Sequence, residues 1–365
     1  MTIVFGILAR LSFALYVWQF FLGMRFRYDG EPSTTAFPGI TILKPLKGCD
    51  SETEACLRTW LEQDYPGPVQ VLFGVASEHD AAVDLIRNRL KSDVIVCPEV
   101  LGPNAKVSTL AQLEPLIQHE LIIISDADVA IPKDFLKRIA SFFETKRPAL
   151  ASCLYRLSGA TNLPMRLEGF MVNSDFWSQV LQSIALRPMK FALGAAMIIT
   201  RPELAALGGF RSIVDYLADD FQLGNRAIGK VALCPIMVEC RASPMTCRQV
   251  WTHQVRWART IRVCQPGPFF FSILSNPTVW PLAWAVSGAW LPALMMVVVR
   301  SAGGAMLEWK FRQKFHASSL ILAPFTDILR AVFWLLAFAG NRISWGGKQF
   351  RVSRGGKLIA ETRGG

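Results

Sequence analysis

No C-x-x-C pair occurs among the eight cysteines (Cys49, Cys56, Cys97, Cys153, Cys234, Cys240, Cys247 and Cys264), and none clusters with the four histidines. That argues against structural zinc and against a disulfide framework. Reduced thiols facing a cytoplasm suit the pattern. Also missing are a basic helix-turn-helix, an RNA-binding aromatic signature and any zinc-finger spacing, so nucleic acid is not the expected partner. No internal repeat or low-complexity tract is present. Charge is sparse: Asp, Glu, Lys and Arg make up 18% against 52% hydrophobic residues, and the mean hydropathy is +0.30. Membrane segments are therefore the first expectation. Acidic residues are outnumbered, 28 to 39, for a net charge of +11. An anionic partner such as a nucleotide or an acidic lipid fits that balance. At 365 residues the chain holds one good-sized domain with additions.

Residues 3–23 are almost wholly apolar, broken by Arg10, Ser12 and Gln19, and are followed by Arg25 and Arg27. About 20 such residues span a bilayer as a helix, and the arginines mark its cytoplasmic end. No small-residue cleavage site is evident, so a retained anchor is expected rather than a signal peptide. After a polar connector, the pattern alternates from Gly39. Strands are read at 39–44, 69–76, 93–97 and 121–125, with helices at 52–63, 79–90 and 106–117 between them. That alternation predicts a mostly parallel sheet covered on both faces. A helix from Pro132 to about 145, strands at 149–155, 190–200 and 231–240, and helices at 163–182 and 248–263 continue the chain.

The uncharged run 279–299 and the weaker run 318–340 predict two further spans. The second contains Asp327 and Arg330, three apart and so able to pair on a helix. Phe269, Phe270 and Phe271 form a cluster too short to span, expected at the interface. The expected organisation is an anchor (1–24), a linker (25–38), a catalytic α/β domain (39–265), a membrane region (266–340) and a basic tail (341–365). The Lys/Arg-rich tail places the catalytic domain in the cytoplasm. The membrane would be a bacterial inner membrane, or the Golgi or endoplasmic reticulum in a eukaryote.

The chemistry-bearing groups follow strands. LIIISDADV (121–129) runs four apolar residues into Ser-Asp-Ala-Asp, and ligands of parallel sheets collect beyond the carboxyl ends of strands. Asp126 and Asp128 can there share a hard divalent cation, Mg²⁺ or Mn²⁺; an Asx turn closing the strand is the other reading. Asp80, in SEHD, is placed as a helix N-terminal carboxylate. Lys106, in GPNAKVSTL, opens a helix and suits a pyrophosphate, or is a solvated surface lysine. Asp219 and Asp220 adjoin, and helix neighbours point about 100° apart, so only one enters a given cleft. His253, Arg256 and Trp257 of HQVRW share one helix face. The arginine can clamp a diphosphate while the indole stacks; with Arg248, Arg259 and Arg262 the same helix also reads as a basic interfacial one. Together these groups meet the needs of transfer from an activated sugar diphosphate. A cation offsets the leaving group's charge, Lys106 and Arg256 add positive charge, and Asp220 serves as general base.

The series ITILKPLKG, SEHD, GPNAKVSTL, SDADV, LADDF and HQVRW resembles the inverting GT-A glycosyltransferases, specifically the ceramide glucosyltransferase family. The likeness covers roughly residues 37–262 and returns in ISWGGKQFRV. It implies an α/β GT-A fold (Rossmann-like, mostly parallel) with N-terminal and C-terminal transmembrane helices. It also implies transfer of glucose from UDP-glucose to the primary hydroxyl of ceramide, with inversion. By motif match Asp80 contacts the nucleotide, Asp126 and Asp128 are the metal-binding D-x-D, and Asp220 is the base. Arg256 and Trp257 close the Q/R-x-x-R-W signature. The chain departs at His253 in the Gln/Arg slot, since a neutral imidazole donates one hydrogen bond and carries no fixed charge. The alternative is a bacterial hopanoid or other lipid glycosyltransferase using UDP-N-acetylglucosamine or another UDP-hexose. A processive polysaccharide synthase needs more spans than these three runs. A non-catalytic nucleotide-sugar binder would lack one of Asp126, Asp128 or Asp220.

Overall fold

The computed structural model describes residues 1–28, 34–159, 162–241, 243–312 and 316–360. The chain opens with α1 (Thr2–Arg25). Then come β1 (Ile40–Leu46), α2 (Thr53–Leu61), β2 (Val69–Val75), α3 (Ala81–Asp84) and β3 (Val94–Val96). α4 (Ala105–Leu113), β4 (Leu121–Ser125), β5 (Val129–Ala130), α5 (Phe135–Lys146) and β6 (Leu150–Ser158) follow. α6 (Leu163–Phe170) and α7 (Trp177–Leu186) are joined by a π-helical turn. Next are β7 (Ala196–Thr200), α8 (Arg201–Ala206), α9 (Asp219–Arg226) and β8 (Val231–Arg241). The last elements are α10 (Cys247–Cys264), α11 (Pro266–Phe271), α12 (Val279–Val286), α13 (Trp290–Arg312), α14 (Ser319–Phe338), β9 (Arg342–Trp345), β10 (Lys348–Val352) and β11 (Leu358–Ala360). They group into two compact units. One is Arg27–Gly159 with Pro188–Ser243; the other is Met1–Phe26, Ala160–Arg187 and Pro244–Gly365.

The first unit is built on an eight-stranded sheet in the order β3-β2-β1-β4-β7-β6-β8-β5. β3, β2, β1 and β4 run parallel. Strands covered on both faces read as continuous apolar runs, and Ile122, Ile123 and Ile124 of β4 are fully buried. The sheet is not parallel throughout. β7 lies antiparallel between β4 and β6, and β5 pairs antiparallel with β8. The strand expected over 190–200 forms only at Ala196–Thr200; its first half turns at Gly194, where a Cβ would stand 3.2 Å from Asp220 Oδ2. Two helices also shift. That expected from Pro132 starts at Phe135, and α3 passes into a π-helical turn over Leu85–Arg89.

The second unit is helical. α1, α13 and α14 are each long and apolar enough to cross a membrane, and the bent pair Pro266–Ser275 and Val279–Val286 would make a fourth, broken span. Ile7, Met295, Val298, Ile321 and Leu335 are exposed, as lipid-facing positions require. The uncharged run 279–299 is not one helix. α12 ends at Val286, Gly288 takes φ +110°, and the helix restarts at Trp290. Arg300 therefore sits inside α13 rather than flanking a span. It is fully buried, with Nε 2.8 Å from Asp327 and Nη2 2.8 Å from Asp175. Asp327 and Arg330 do approach, at 3.7 Å, but Arg300 is the closer partner of Asp327. The basic tail is folded: β9, β10 and β11 form an antiparallel three-stranded sheet.

Candidate active site

From β1 the chain moves outward to β2 and β3, then returns through α4 to β4 on the other side of β1. The crevice beyond the carboxyl ends of β1 and β4 is thus a topological switch point, where open α/β sheets take their ligands. Leu43 pairs with Ile124 in the ladder, so Lys44 comes level with Ser125. Asp126 and Asp128 lie just past that level.

The SDADV loop is held by its backbone. Lys44, fully buried, donates from Nζ to Ser125 Oγ (3.0 Å) and to the Asp126 carbonyl (2.8 Å). Its ammonium lies 4.0 Å from the Trp60 ring centroid, a favourable cation–π placement. Trp60 Nε1 in turn donates to the Val129 carbonyl at 2.7 Å. The Asp128 carbonyl accepts from Arg241 N–H (2.8 Å) and Cys56 Sγ (3.4 Å). Three successive anchors thus fix the loop while the Asp126 side chain stays 42% exposed. Burial pushes the Lys44 ammonium down to about 7 against the opposing pull of Asp126 and Asp128.

Lys106, at the start of α4, joins two motifs that are far apart in sequence. Its Nζ is 2.7 Å from Asp126 Oδ1 and 3.0 Å from Asp219 Oδ2. Burial alone would lower its affinity for a proton; the two carboxylates more than offset this and raise it well above the usual lysine value. Asp219 and Asp220 open α9, and their divergence is the expected one: Asp219 faces Lys106, while Asp220 Oδ1 accepts from Phe221 N–H at 2.7 Å beside Gly194. Burial, then the charge of Asp219, pushes the Asp220 carboxyl up to about 7. A carboxylate so poised can accept a proton near neutrality. Asp80 caps α3, accepting from Ala82 N–H, and also accepts from Gly48 N–H at 2.8 Å. It thereby braces the loop that leaves β1.

The HQVRW residues belong to the helical unit. His253 Nδ1 lies 2.6 Å from Glu168 Oε1, which also accepts from Gln254 Nε2 at 2.8 Å. His253 and Trp257 stack edge to face with centroids 4.7 Å apart. Burial lowers the Arg256 guanidinium, with Glu168 pulling the other way.

Among the described residues no three His, Cys, Asp or Glu side chains make a self-sufficient metal cage. Mg²⁺-type sites need only one or two carboxylates, the rest of the shell coming from substrate phosphates and water. Asp126 and Asp128 meet that requirement with hard oxygen donors. Burial, then the charge of Asp126, pushes Asp128 up to about 6, a repulsion that a divalent cation relieves. The pair therefore fits the expected metal.

Lys44 and Trp60 were not singled out by the sequence reading, and Asp219 was read only as the neighbour of Asp220, with no link to Lys106. The available signal was a lone lysine inside the apolar run ITILKPL, where a charge needs partners.

The family model described as glycosyl transferase family 21 matches residues 4–358. A ceramide glucosyltransferase of Komagataella phaffii is 34% identical over 110 residues, covering 27% of this chain and 21% of that protein. One from Candida albicans is 27% identical over 118 residues, covering 28% and 22%. A beta-monoglucosyldiacylglycerol synthase of Synechocystis sp. is 22% identical over 242 residues, covering 63% and 49%. The chain thus spans about half or less of each curated relative's length. Among solved structures, a mannosyltransferase from Pyrobaculum calidifontis in complex with GDP-Man and Mn²⁺ aligns with a TM-score of 0.59 at 19% identity, over 93% of this chain and 96% of that one. The shared feature is the GT-A-like fold, as expected.

Proposed function

The chain belongs to glycosyl transferase family 21, and on that premise we propose that it moves glucose from UDP-glucose to the primary hydroxyl of a membrane lipid, ceramide first, with inversion. The observation that carries the reading is Lys106, which joins the D-x-D carboxylate Asp126 to Asp219 beside Asp220.

Asp126 and Asp128 would hold Mg²⁺ or Mn²⁺, which when bound offsets charge on the diphosphate leaving group. Lys106, whose hold on its proton is strengthened by Asp126 and Asp219, adds a second positive charge at the same place. Asp80 keeps the β1 loop in position for the nucleotide. By the motif match alone, Arg256 and Trp257 would be a cationic and a stacking group for a diphosphate. Asp220 takes the proton from the acceptor hydroxyl as the oxygen attacks the anomeric carbon opposite the departing UDP. A single displacement of that kind inverts the configuration. The apolar helices α1, α13 and α14 hold the protein in the membrane that contains the acceptor. Arg25, Arg27 and the basic tail favour a cytoplasmic catalytic unit.

Diacylglycerol is the second acceptor considered, because a relative matched over 242 residues carries that lipid in its name. The test gives the purified full chain a panel of UDP-hexoses with ceramide, diacylglycerol or hopanoid acceptors and identifies the lipid product by mass spectrometry. Glucosylceramide is the expected product. Glucosyldiacylglycerol alone would move the acceptor, and no hexosyl lipid from any pair would end the proposal.

A further inference from the structure

Two contacts fix the ends of the helical unit. Thr2 Oγ1, at the start of α1, donates to the Ser287 carbonyl at 3.1 Å. At the other end of α1, Lys310 Nζ donates to the Met24 carbonyl at 2.5 Å. Between them Tyr16 donates to the Arg300 carbonyl at 3.1 Å. α13 therefore runs antiparallel to α1 from the Ser287 end to the Arg25 end. The bent pair Pro266–Ser275 and Val279–Val286 runs the other way. Gln19 of α1 donates to Gln182 of α7 at 2.8 Å, and Arg187, just past α7, donates to Gln265 at 2.8 Å. The pair thus starts towards the Arg25 end, and it finishes beside Ser287 with Trp284 under Arg10 at 4.8 Å.

α14 behaves differently. It starts at the Arg25 end, where Ser319 Oγ donates to Glu308 and accepts from Arg166 Nη2 at 2.8 Å. Its 20 residues are enough to cross a bilayer, and a crossing would bring Phe338 to the Ser287 end. Its last turns lie elsewhere. Trp334 Nε1 donates to the Phe269 carbonyl at 2.9 Å, and Phe338 meets the rings of Phe269 and Phe270 at 5.8 and 6.3 Å. Arg262 lies 5.5 Å from the Phe338 ring and donates to Asn341. These partners are the end of α10 and the start of the bent pair, with all of α12 still to run before Ser287. Charge agrees with that placement. A crossing α14 would carry Arg342, Lys348, Arg351, Arg354 and Lys357 to the side opposite Arg25, Lys310 and Arg312, whereas basic residues flanking spans gather on the cytoplasmic side.

We propose that α14 is a re-entrant helix, entering and leaving the membrane at the Arg25 end, and that the crossings are α1, the bent pair and α13. Its exposed row is Ile321, Phe325, Ile328 and Leu335, at 76, 47, 42 and 61%, spaced as one helix face. That row docks on the acyl chains of the leaflet at the Arg25 end alone, as an interfacial helix does. Phe270 and Phe271, 53 and 62% exposed, continue the row. Trp251 of α10 packs on Phe333 with ring centroids 5.0 Å apart, so the same leaflet supports the helix that carries HQVRW. The proposal rests on α1 being a span and not on the identity of the sugar or the acceptor.

The test labels the full chain in sealed membrane vesicles with a membrane-impermeant maleimide and maps the labelled cysteines by mass spectrometry. Cys247, exposed at the start of α10, is the internal reference. Ala360 and Val286 are both exposed, so A360C and V286C leave the packing undisturbed. A360C should be labelled to within about twofold of Cys247, and V286C should differ from both by about tenfold or more until detergent opens the vesicles. A second arm measures the depth of spin labels at I321C and L335C in a C49S/C247S chain, with the parent signal subtracted. A crossing helix would separate the two labels by about 20 Å in depth, and the expected separation is less than about half of that. A360C labelled together with V286C would overturn the proposal. So would V286C labelled together with Cys247, or a depth separation equal to the full helical rise.

Discussion

The described residues include two charge networks of opposite character. In the helical unit Arg300 and Arg330 meet Asp175 and Asp327, two charges against two. Thr278 Oγ1 donates to Asp327 at 2.7 Å, and Arg300 also lies over the Tyr16 ring at 5.0 Å. The side chains of Arg300 and Asp327 are 0% exposed. In the α/β unit Lys106 faces Asp126 and Asp219, with Asp128 and Asp220 close by, and the Asp126 side chain is 42% exposed. The first network is balanced and shut away; the second is rich in carboxylate and open. A balanced buried network fixes helix register, since removing one member strands its partner. An unbalanced open one, with carboxyls pushed towards neutrality, is the arrangement expected of a site that waits for a cationic ligand.

Two substitutions break the comparison from opposite sides. Asp220→Asn should lower turnover about 10³-fold, the usual worth of a positioned base, while UDP-sugar affinity measured by calorimetry stays within about twofold. Wild-type-like turnover would remove Asp220 as base. Asp327→Ala should leave Arg300 buried with a lost partner and cost about 3 kcal/mol of stability, the lower end for a broken buried pair because a bilayer-embedded unfolded state finds other partners. The readout is the thermal unfolding midpoint in detergent. If Asp327→Ala left the midpoint unchanged and Asp220→Asn lowered it, the two networks would have been assigned the wrong way round.

Legibility in the sequence followed the range of the interaction. The strand and helix alternation from Gly39 to Ser125 depends on local apolar periodicity, and the elements formed where that periodicity put them. LIIIS ending at the D-x-D was readable for the same reason. Strand direction was not, because apolar content is the same in both orientations; β7 therefore appeared only in the structure as an antiparallel insertion. The break at Gly288 was hidden because uncharged residues continue on both sides, while the backbone there takes a positive φ that glycine alone adopts easily. Arg300 looked like a flank because its compensating carboxylates, Asp175 and Asp327, are 125 and 27 residues away. Lys106 was singled out for a diphosphate, but its link to Asp219 is a long-range contact that no spacing rule contains.

Two smaller effects sharpen the contrast. Lys44→Met removes the two hydrogen bonds that hold Ser125 and the Asp126 carbonyl. The concentration of Mn²⁺ giving half-maximal activity should rise about tenfold, since supporting residues around a metal site are typically worth 10–100-fold. The turnover number at saturating metal should fall less than that. An unchanged metal requirement would show that Trp60, Cys56 and Arg241 hold the loop unaided.

The smallest effect is on stability, and its sign is opposite to that of most substitutions. Asp220 has its folded value raised to about 7 from the ordinary 3.8. A group raised on folding favours the folded state most below its unfolded value, and that advantage is lost as pH climbs through the folded value. In metal-free protein the wild type should therefore lose stability between about pH 4 and pH 7 from this residue, and no more above that. Asp220→Asn has no proton to release and escapes the loss. Its unfolding midpoint should match the wild type near pH 4 and exceed it at pH 8, by about 1 kcal/mol once solvent screening of a partly exposed group is allowed for. A substitution that removes turnover while raising the midpoint only at high pH is the mark of a carboxylate retained for reactivity. Parallel pH curves for the two proteins would instead place Asp220 among ordinary surface acids, and the open network would lose the feature that sets it apart from the balanced one around Arg300.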